Sequence, residues 1–191
     1  PASANGVEEG MRQIAKRAQL PIVLYQRRLD IMPVDKVIGL CSMDEVVGLK
    51  YAVDDLEAFN RINDGCGKQA AMICGMAEDP AIEYLAAGAV GFSSGMANFA
   101  PRASLAILRR FAEGDRSGAQ VLREVMLPFE DLRGERAARY SGSALHAAMM
   151  RAGLAGGPVV PFAEDVADSD LPRLNDMVDR VMDVEKSLIA Q

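Results

Sequence analysis

Lys50 is the residue whose type and setting point most directly to covalent chemistry. It sits in the run VVGLKYAV (Val46 to Val53), among apolar neighbours and next but one to Gly48. An unpaired ammonium near the C-terminal end of a buried strand costs several kcal/mol in lost hydration. Desolvation therefore favours the neutral amine. A neutral amine attacks a ketone to form an imine. Such a lysine also arises for structural reasons, paired with a carboxylate on a neighbouring strand or reaching out to water.

Tyr25 ends the preceding apolar run, PIVLY. If the two runs are adjacent parallel strands, Tyr25 and Lys50 emerge at the same end of a sheet. A phenol there can shuttle protons during imine formation and during cleavage of a carbon–carbon or carbon–oxygen bond. The plainer alternative is a ring in the core with its hydroxyl in water. Arg27 and Arg28 follow the tyrosine as cations for an anionic substrate group, or as solvated loop residues. Gly75, Ser93 and Ser94 follow later strand-like runs. Small residues at strand ends leave room for a ligand and offer backbone or hydroxyl groups to its carboxylate; tight packing explains them equally well. His146, in SALHAAMM, is given no catalytic role, and Met149 and Met150 read as core fillers.

These residues must be positioned by alternating elements. Val7 to Gln19 reads as an amphipathic helix, with Val7, Met11, Ile14, Ala15 and Ala18 on one side. Glu8 and Glu9 are placed in its first turn and Lys16 and Arg17 near its end. Pro21 to Tyr25 suits a strand buried on both faces. Pro33 to Leu40 predicts a short helix started by the proline. Val46 to Val53 is the second strand, and Asp54 to Ile62 a helix with Asp54 as N-cap. Ala70 to Gly75 is the third strand, Pro80 to Ala87 a helix closed by Gly88, and Ala89 to Ser94 the fourth strand. Beyond lie four helices, at Ala103 to Glu113, Arg116 to Ala138, Ser143 to Ala152 and Leu171 to Ala190. The stretch Gly153 to Phe162 breaks the last two apart.

Four strands alternating with helices imply parallel βαβ units. An open sheet would carry a Gly-rich phosphate turn after a strand, and neither GxGxxG nor GxxxxGK[ST] is present. Half of an eight-stranded barrel fits better. Half a barrel leaves unpaired edges, and a whole one needs typically ~250 residues. About four further strands are therefore expected before residue 1.

The 191 residues are half apolar and one quarter charged, with a net charge of −6. That balance speaks against a nucleic-acid binder, which shows a basic face. Cys41, Cys66 and Cys74 make no CxxC pair and form no complete disulfide framework; reduced thiols in a cytoplasmic protein are expected. The single histidine excludes a multi-histidine metal site within one chain. No apolar run approaches the ~20 residues of a membrane span, and no signal peptide opens the chain.

Taken together, the segments resemble one family. VVGLKYAVDDL resembles the lysine-bearing strand of the dihydrodipicolinate synthase and N-acetylneuraminate lyase family, the Schiff-base (class I) aldolases. LYQRR sits where that family has a strand ending in its catalytic tyrosine. CGMAEDPAIEYLAAGAVGFSSGMANFAP resembles its last two strands and the loop after the eighth. The resemblance implies an α/β fold, a (β/α)8 TIM barrel of which this chain holds about the second half (strands 5–8) plus a C-terminal helical extension. Residues 1–113 would be the barrel half and 114–191 the extension. It implies Lys50 as the imine-forming residue, Tyr25 as proton shuttle, and Gly75, Ser93, Ser94 and Arg27 as substrate-binding residues. No metal or organic cofactor would be needed, and the partners would be a small 2-oxo acid and further copies of the chain in a dimer or tetramer. The family's Thr-Thr-Gly loop, which binds the substrate carboxylate, would lie before residue 1.

Synthases usually carry an arginine a few residues beyond the tyrosine, where this chain has Asp30. YQR and FSSGMANFAP are more similar to the 5-dehydro-4-deoxyglucarate dehydratase branch, although that branch usually has Asn where this chain has Gln26. The leading expectation is a lyase acting on pyruvate or a 2-oxo sugar acid. The alternatives are a dihydrodipicolinate synthase proper and a non-catalytic barrel that binds a 2-oxo acid without turnover.

Overall fold

The first described element is a capped helix. In the computed structural model, which describes residues 3–161 and 163–189, Ser3 accepts a hydrogen bond from Gly6 N (3.1 Å) and opens α1 (Ala4–Ala18). The helix thus starts three residues before the expected Val7, and Glu8 and Glu9 lie beyond its first turn. Glu8 has a different task. It pairs with Arg12 (2.8 Å) and with Lys36 of the next helix (2.6 Å). Those two cations, Lys36 foremost, hold its carboxyl below the usual range. On the expected apolar side of α1, Ala15 is buried but Met11 and Ile14 are exposed.

Then come β1 (Ile22–Gln26), α2 (Val34–Cys41), β2 (Val46–Tyr51), α3 (Leu56–Cys66), β3 (Ala71–Cys74), α4 (Ala81–Ala86) and β4 (Gly91–Phe92). All four expected strands form, in sequential order in one sheet, with every pair parallel. Several boundaries move for physical reasons. Asp55, not Asp54, caps α3: its carboxylate accepts from Ala58 N at 2.8 Å, and the helix then runs past Ile62 to Cys66. β1 ends on Gln26 rather than Tyr25. Pro33 is the N-cap of α2, one position before the helix proper. Gly88 lies just beyond the end of α4, at a φ of +103° that favours glycine. β4 is only two residues long and pairs with β3.

The sheet has two dissimilar faces. Side chains alternate along a strand, so Leu49 and Tyr51 point away from Gly48 and Lys50. Leu49, Tyr51, Met72 and Cys74 are buried on the helix-covered face. There Tyr51, Phe59 and Tyr84 form an aromatic cluster, with ring centroids 4.9 Å apart for Phe59–Tyr84 and 5.5 Å for Tyr51–Phe59. The two phenols donate to the carbonyls of Asp55 and Val53. The expectation that the first strand is buried on both faces is corrected here: Val23 and Tyr25 are exposed on the other face, as is Ala71 of β3.

Residues divide into two compact units, Pro1–Ser93 and Ser94–Gln191. The second holds a 3-10 turn at Met96–Asn98, then α5 (Pro101–Ala112), α6 (Arg116–Ala138), α7 (Ser143–Arg151) and α8 (Leu171–Ser187). Pro101 occupies the first turn of α5, which begins before the expected Ala103. One of its first amides is met by a buried carboxylate: Glu185 of α8 accepts from Ala103 N (2.9 Å) and also from the Arg102 guanidinium (3.0 Å). The core of this unit gathers Met96, Ile107, Met126, Phe129, Leu132 and Val178. Phe162 and Ala190, expected to end a break and a helix, lie outside the described residues.

Candidate active site

Tyr25 and Lys50 are direct partners across the β1–β2 pair, level with each other and with Ile73 on β3. Both therefore point to the sheet face opposite the aromatic cluster. Lys50 is half-buried, and its Nζ lies 4.6 Å from the centroid of the Tyr25 ring. Among the described residues no carboxylate lies within ion-pair distance of that nitrogen. The structural alternative, a lysine locked to an acidic neighbour, is not what is found. Tyr25 itself is 54% exposed, so its ring is on the open face rather than in the core.

The floor around the pair is low. Gly48, one step back on the same face, would bring a Cβ within 3.1 Å of the Ala71 carbonyl. Gly91, level with Ile73 on the next strand, faces open space.

Other phenols nearby are spoken for. Burial pushes Tyr84 up to about 12 and Tyr51 higher still. Both remain protonated at neutral pH and both donate to backbone carbonyls. Tyr51 adjoins Lys50 in sequence but faces the other way, so Tyr25 is the phenol the geometry offers to Lys50. Cys74 is likewise buried and pushed up to about 11, which disfavours the reactive thiolate.

The remaining expected site residues fare differently. Gly75 donates to the Tyr51 carbonyl at 2.6 Å, and a Cβ there would come 2.7 Å from the Cβ of Ala52. Close backbone approach favours a glycine at this position. Gly75→Ala is expected to cost about 1–3 kcal/mol through overpacking, read from the midpoint of urea unfolding; an unchanged midpoint would refute that account. Ser93 extends the β3–β4 pairing through its N–H to the Cys74 carbonyl (2.9 Å). Ser94, the first residue of the second unit, accepts from Ala97 N (3.0 Å) and from the Ser104 hydroxyl (3.2 Å). Its hydroxyl oxygen thus serves the turn that follows it.

Arg27 lies with its guanidinium carbon 5.9 Å from the Tyr25 ring centroid. Arg28 pairs with Asp30 through two hydrogen bonds, which raises the arginine and holds the Asp30 carboxyl below the usual range. Sequence reasoning missed the role of Gln26. Its side chain is buried and its Nε2 donates to the carbonyls of Met32 (2.8 Å) and Arg28 (3.0 Å). That amide ties down the loop bearing both arginines. The signal was parity: Gln26 shares a strand face with Leu24, so a polar group is buried there and needs partners.

Among the described residues no group of three or more His, Cys, Asp or Glu is placed to hold a metal ion. No helix among them is long and apolar enough to cross a membrane.

Comparison with known proteins agrees with this architecture. The chain is 31% identical over 191 residues to a probable 5-dehydro-4-deoxyglucarate dehydratase from Ralstonia nicotianae, covering 97% of this chain and 60% of that protein. A protein of the same name from Xanthomonas campestris is 30% identical, over 92% of this chain and 58% of its own length. Dihydrodipicolinate synthase from Oceanobacillus iheyensis superposes with a TM-score of 0.88 at 28% identity, over 94% of this chain and 60% of that one. The chain thus spans about 60% of the length of these relatives. Its parallel sheet and following helices form part of a (β/α)8 barrel with its helical extension. Residues 1–180 match the Dihydrodipicolinate synthetase family, and the chain belongs to it.

Proposed function

We propose that the protein is a Schiff-base lyase of the class I aldolase type, acting on a 2-oxo sugar acid by dehydration. The observation that carries this reading is the pairing of Tyr25 with Lys50: register partners on one face, with Nζ 4.6 Å from the phenol ring. The Lys50 amine adds to the keto carbon and water leaves, giving an imine. Protonated, the imine draws electrons from the adjacent carbon, so a proton there is lost and an enamine forms. Expulsion of a hydroxyl from the next carbon as water completes a dehydration. Tyr25 is the group placed to carry protons in these steps.

Two findings favour dehydration over the synthase reaction. The Ralstonia and Xanthomonas relatives are both named as probable dehydratases of 5-dehydro-4-deoxyglucarate. Asp30, where synthases usually carry an arginine, is ion-paired with Arg28 and offers no free cation to a second substrate. On this reading Arg27 and Ser93 meet the anionic end of the substrate, and no metal or organic cofactor takes part. Residues 1–113 serve the barrel and 114–191 the helical extension. The working form is an oligomer of this chain in the cytoplasm.

The test is borohydride reduction in the presence of pyruvate and, separately, of 5-dehydro-4-deoxyglucarate, with peptide mass mapping. A reduced adduct on the peptide carrying Lys50, together with turnover of the sugar acid, is expected. An adduct without turnover would favour a non-catalytic binder, and no adduct with either compound would end the proposal.

A further inference from the structure

Beside β1 lies a pocket of about 260 Å³ that Lys50 does not line, although Tyr25, its register partner, does. Its walls are α1, α2, β1 and the loop that follows β1. Met11, Leu24, Ile31 and Leu40 give it an apolar body, with Gln26 and Arg27 among the residues at its polar end. The pocket is formed within the first unit.

The lining limits what fits. An apolar cavity of about 150 Å³ takes benzene, so this one has room for a ring or short alkyl body with a few more atoms. Both Gln26 Nε2 hydrogens are spent on the Met32 and Arg28 carbonyls, which leaves them no polar body to bind. At the rim, Arg28 is neutralised by Asp30. For Arg27 no carboxylate lies within ion-pair distance among the described residues. One uncompensated guanidinium beside an apolar chamber matches a single negative charge on an apolar body.

We infer that this pocket is an effector site for an amphiphilic monocarboxylate, and that its occupation opposes substrate capture. The sign follows from Arg27, which lines the pocket and also stands 5.9 Å from the Tyr25 ring. A carboxylate that draws Arg27 to the pocket takes it from the side where an anionic keto acid would meet Tyr25 and Lys50. Two ligands competing for one side chain are coupled negatively, and equally in both directions. The coupling rests on the proposed imine chemistry; the binding does not.

The probe is 3-phenylpropanoate, titrated by calorimetry into the full-length protein. Saturable one-to-one binding is expected. It should weaken at least about tenfold for 3-phenylpropan-1-ol, which lacks the charge, and to a similar degree in Met11→Trp and Ile31→Trp, which add bulk to the pocket from α1 and from the loop after β1. Both positions are partly exposed, so the folded state survives, as circular dichroism will show. Saturating 3-phenylpropanoate should raise the pyruvate concentration for half-maximal borohydride trapping, without lowering the plateau, in the parent but not in either Trp variant. Absent binding, or binding equally tight in both Trp variants, would overturn the site. Trapping that ignores a bound probe would overturn the effector role. If pyruvate is never trapped while probe binding remains sensitive to Met11 and Ile31, the Lys50 reading and the coupling fail together and the ligand site stands.

Discussion

Lys50→Ala leaves no reduced adduct after borohydride treatment with pyruvate, and turnover falls to background. The expectation follows from the covalent step itself, because among the described residues Lys50 is the lysine placed beside Tyr25. Lys36, on α2, is tied to Glu8 at 2.6 Å. The loss should not reflect unfolding. Lys50 is half-buried on the less covered face, among the described residues it has no carboxylate partner, and truncation there falls among changes usually within ±0.5 kcal/mol. Lys50→Arg sharpens the result: it keeps a cation at the position and removes the nucleophile. Both variants should unfold at nearly the parent's urea midpoint and both should fail to trap. Full-stoichiometry trapping by Lys50→Ala would place the reactive amine elsewhere.

Tyr25→Phe separates capture from turnover. The substitution keeps a ring 4.6 Å from Nζ and deletes the hydroxyl. Some pyruvate adduct should still form, because water can supply protons slowly to the addition step. Turnover should fall by roughly 10²–10⁴, the usual contribution of a placed general acid–base group. With the side chain 54% exposed, the stability change should be small. A variant that turns over at the parent rate would remove Tyr25 from the mechanism and leave it as a wall of the site. The pair of results also discriminates functions, since a pure 2-oxo acid binder would lose trapping with Lys50 and lose nothing with Tyr25.

Much of this was legible in the residues because it depends on short-range pattern. The runs at 21–25, 46–53, 70–75 and 89–94 announced strands by their apolar, turn-bounded character, and the helical segments between them required parallel pairing. That pairing alone put Tyr25 beside Lys50. The boundaries were less legible because they are set by single hydrogen bonds. Asp54 and Asp55 are equivalent as caps on composition, and only the Asp55 contact to Ala58 N decides between them. Gly75 and Ser94 read as ligand-binding residues by position; the close backbone approach at Ala52 and the turn at Ala97 are contacts that position did not reveal. Gln26 was passed over as a departure from a family pattern. Its work depends on carbonyls two and six residues further on, which no spacing rule reveals.

The alternation of the sheet has one last consequence, for how such a protein changes over time. Tyr51 anchors β2 from behind through its ring contacts and its bond to the Asp55 carbonyl, while its neighbour Lys50 looks the opposite way. Val23, Ile73 and Gly91 share the front with Lys50 and take no part in the aromatic cluster. New side chains at those three positions would therefore reshape the surface around Lys50 while leaving intact the packing that holds the amine in place. On the proposed chemistry, preference among keto acids would drift in this scaffold at little risk to folding.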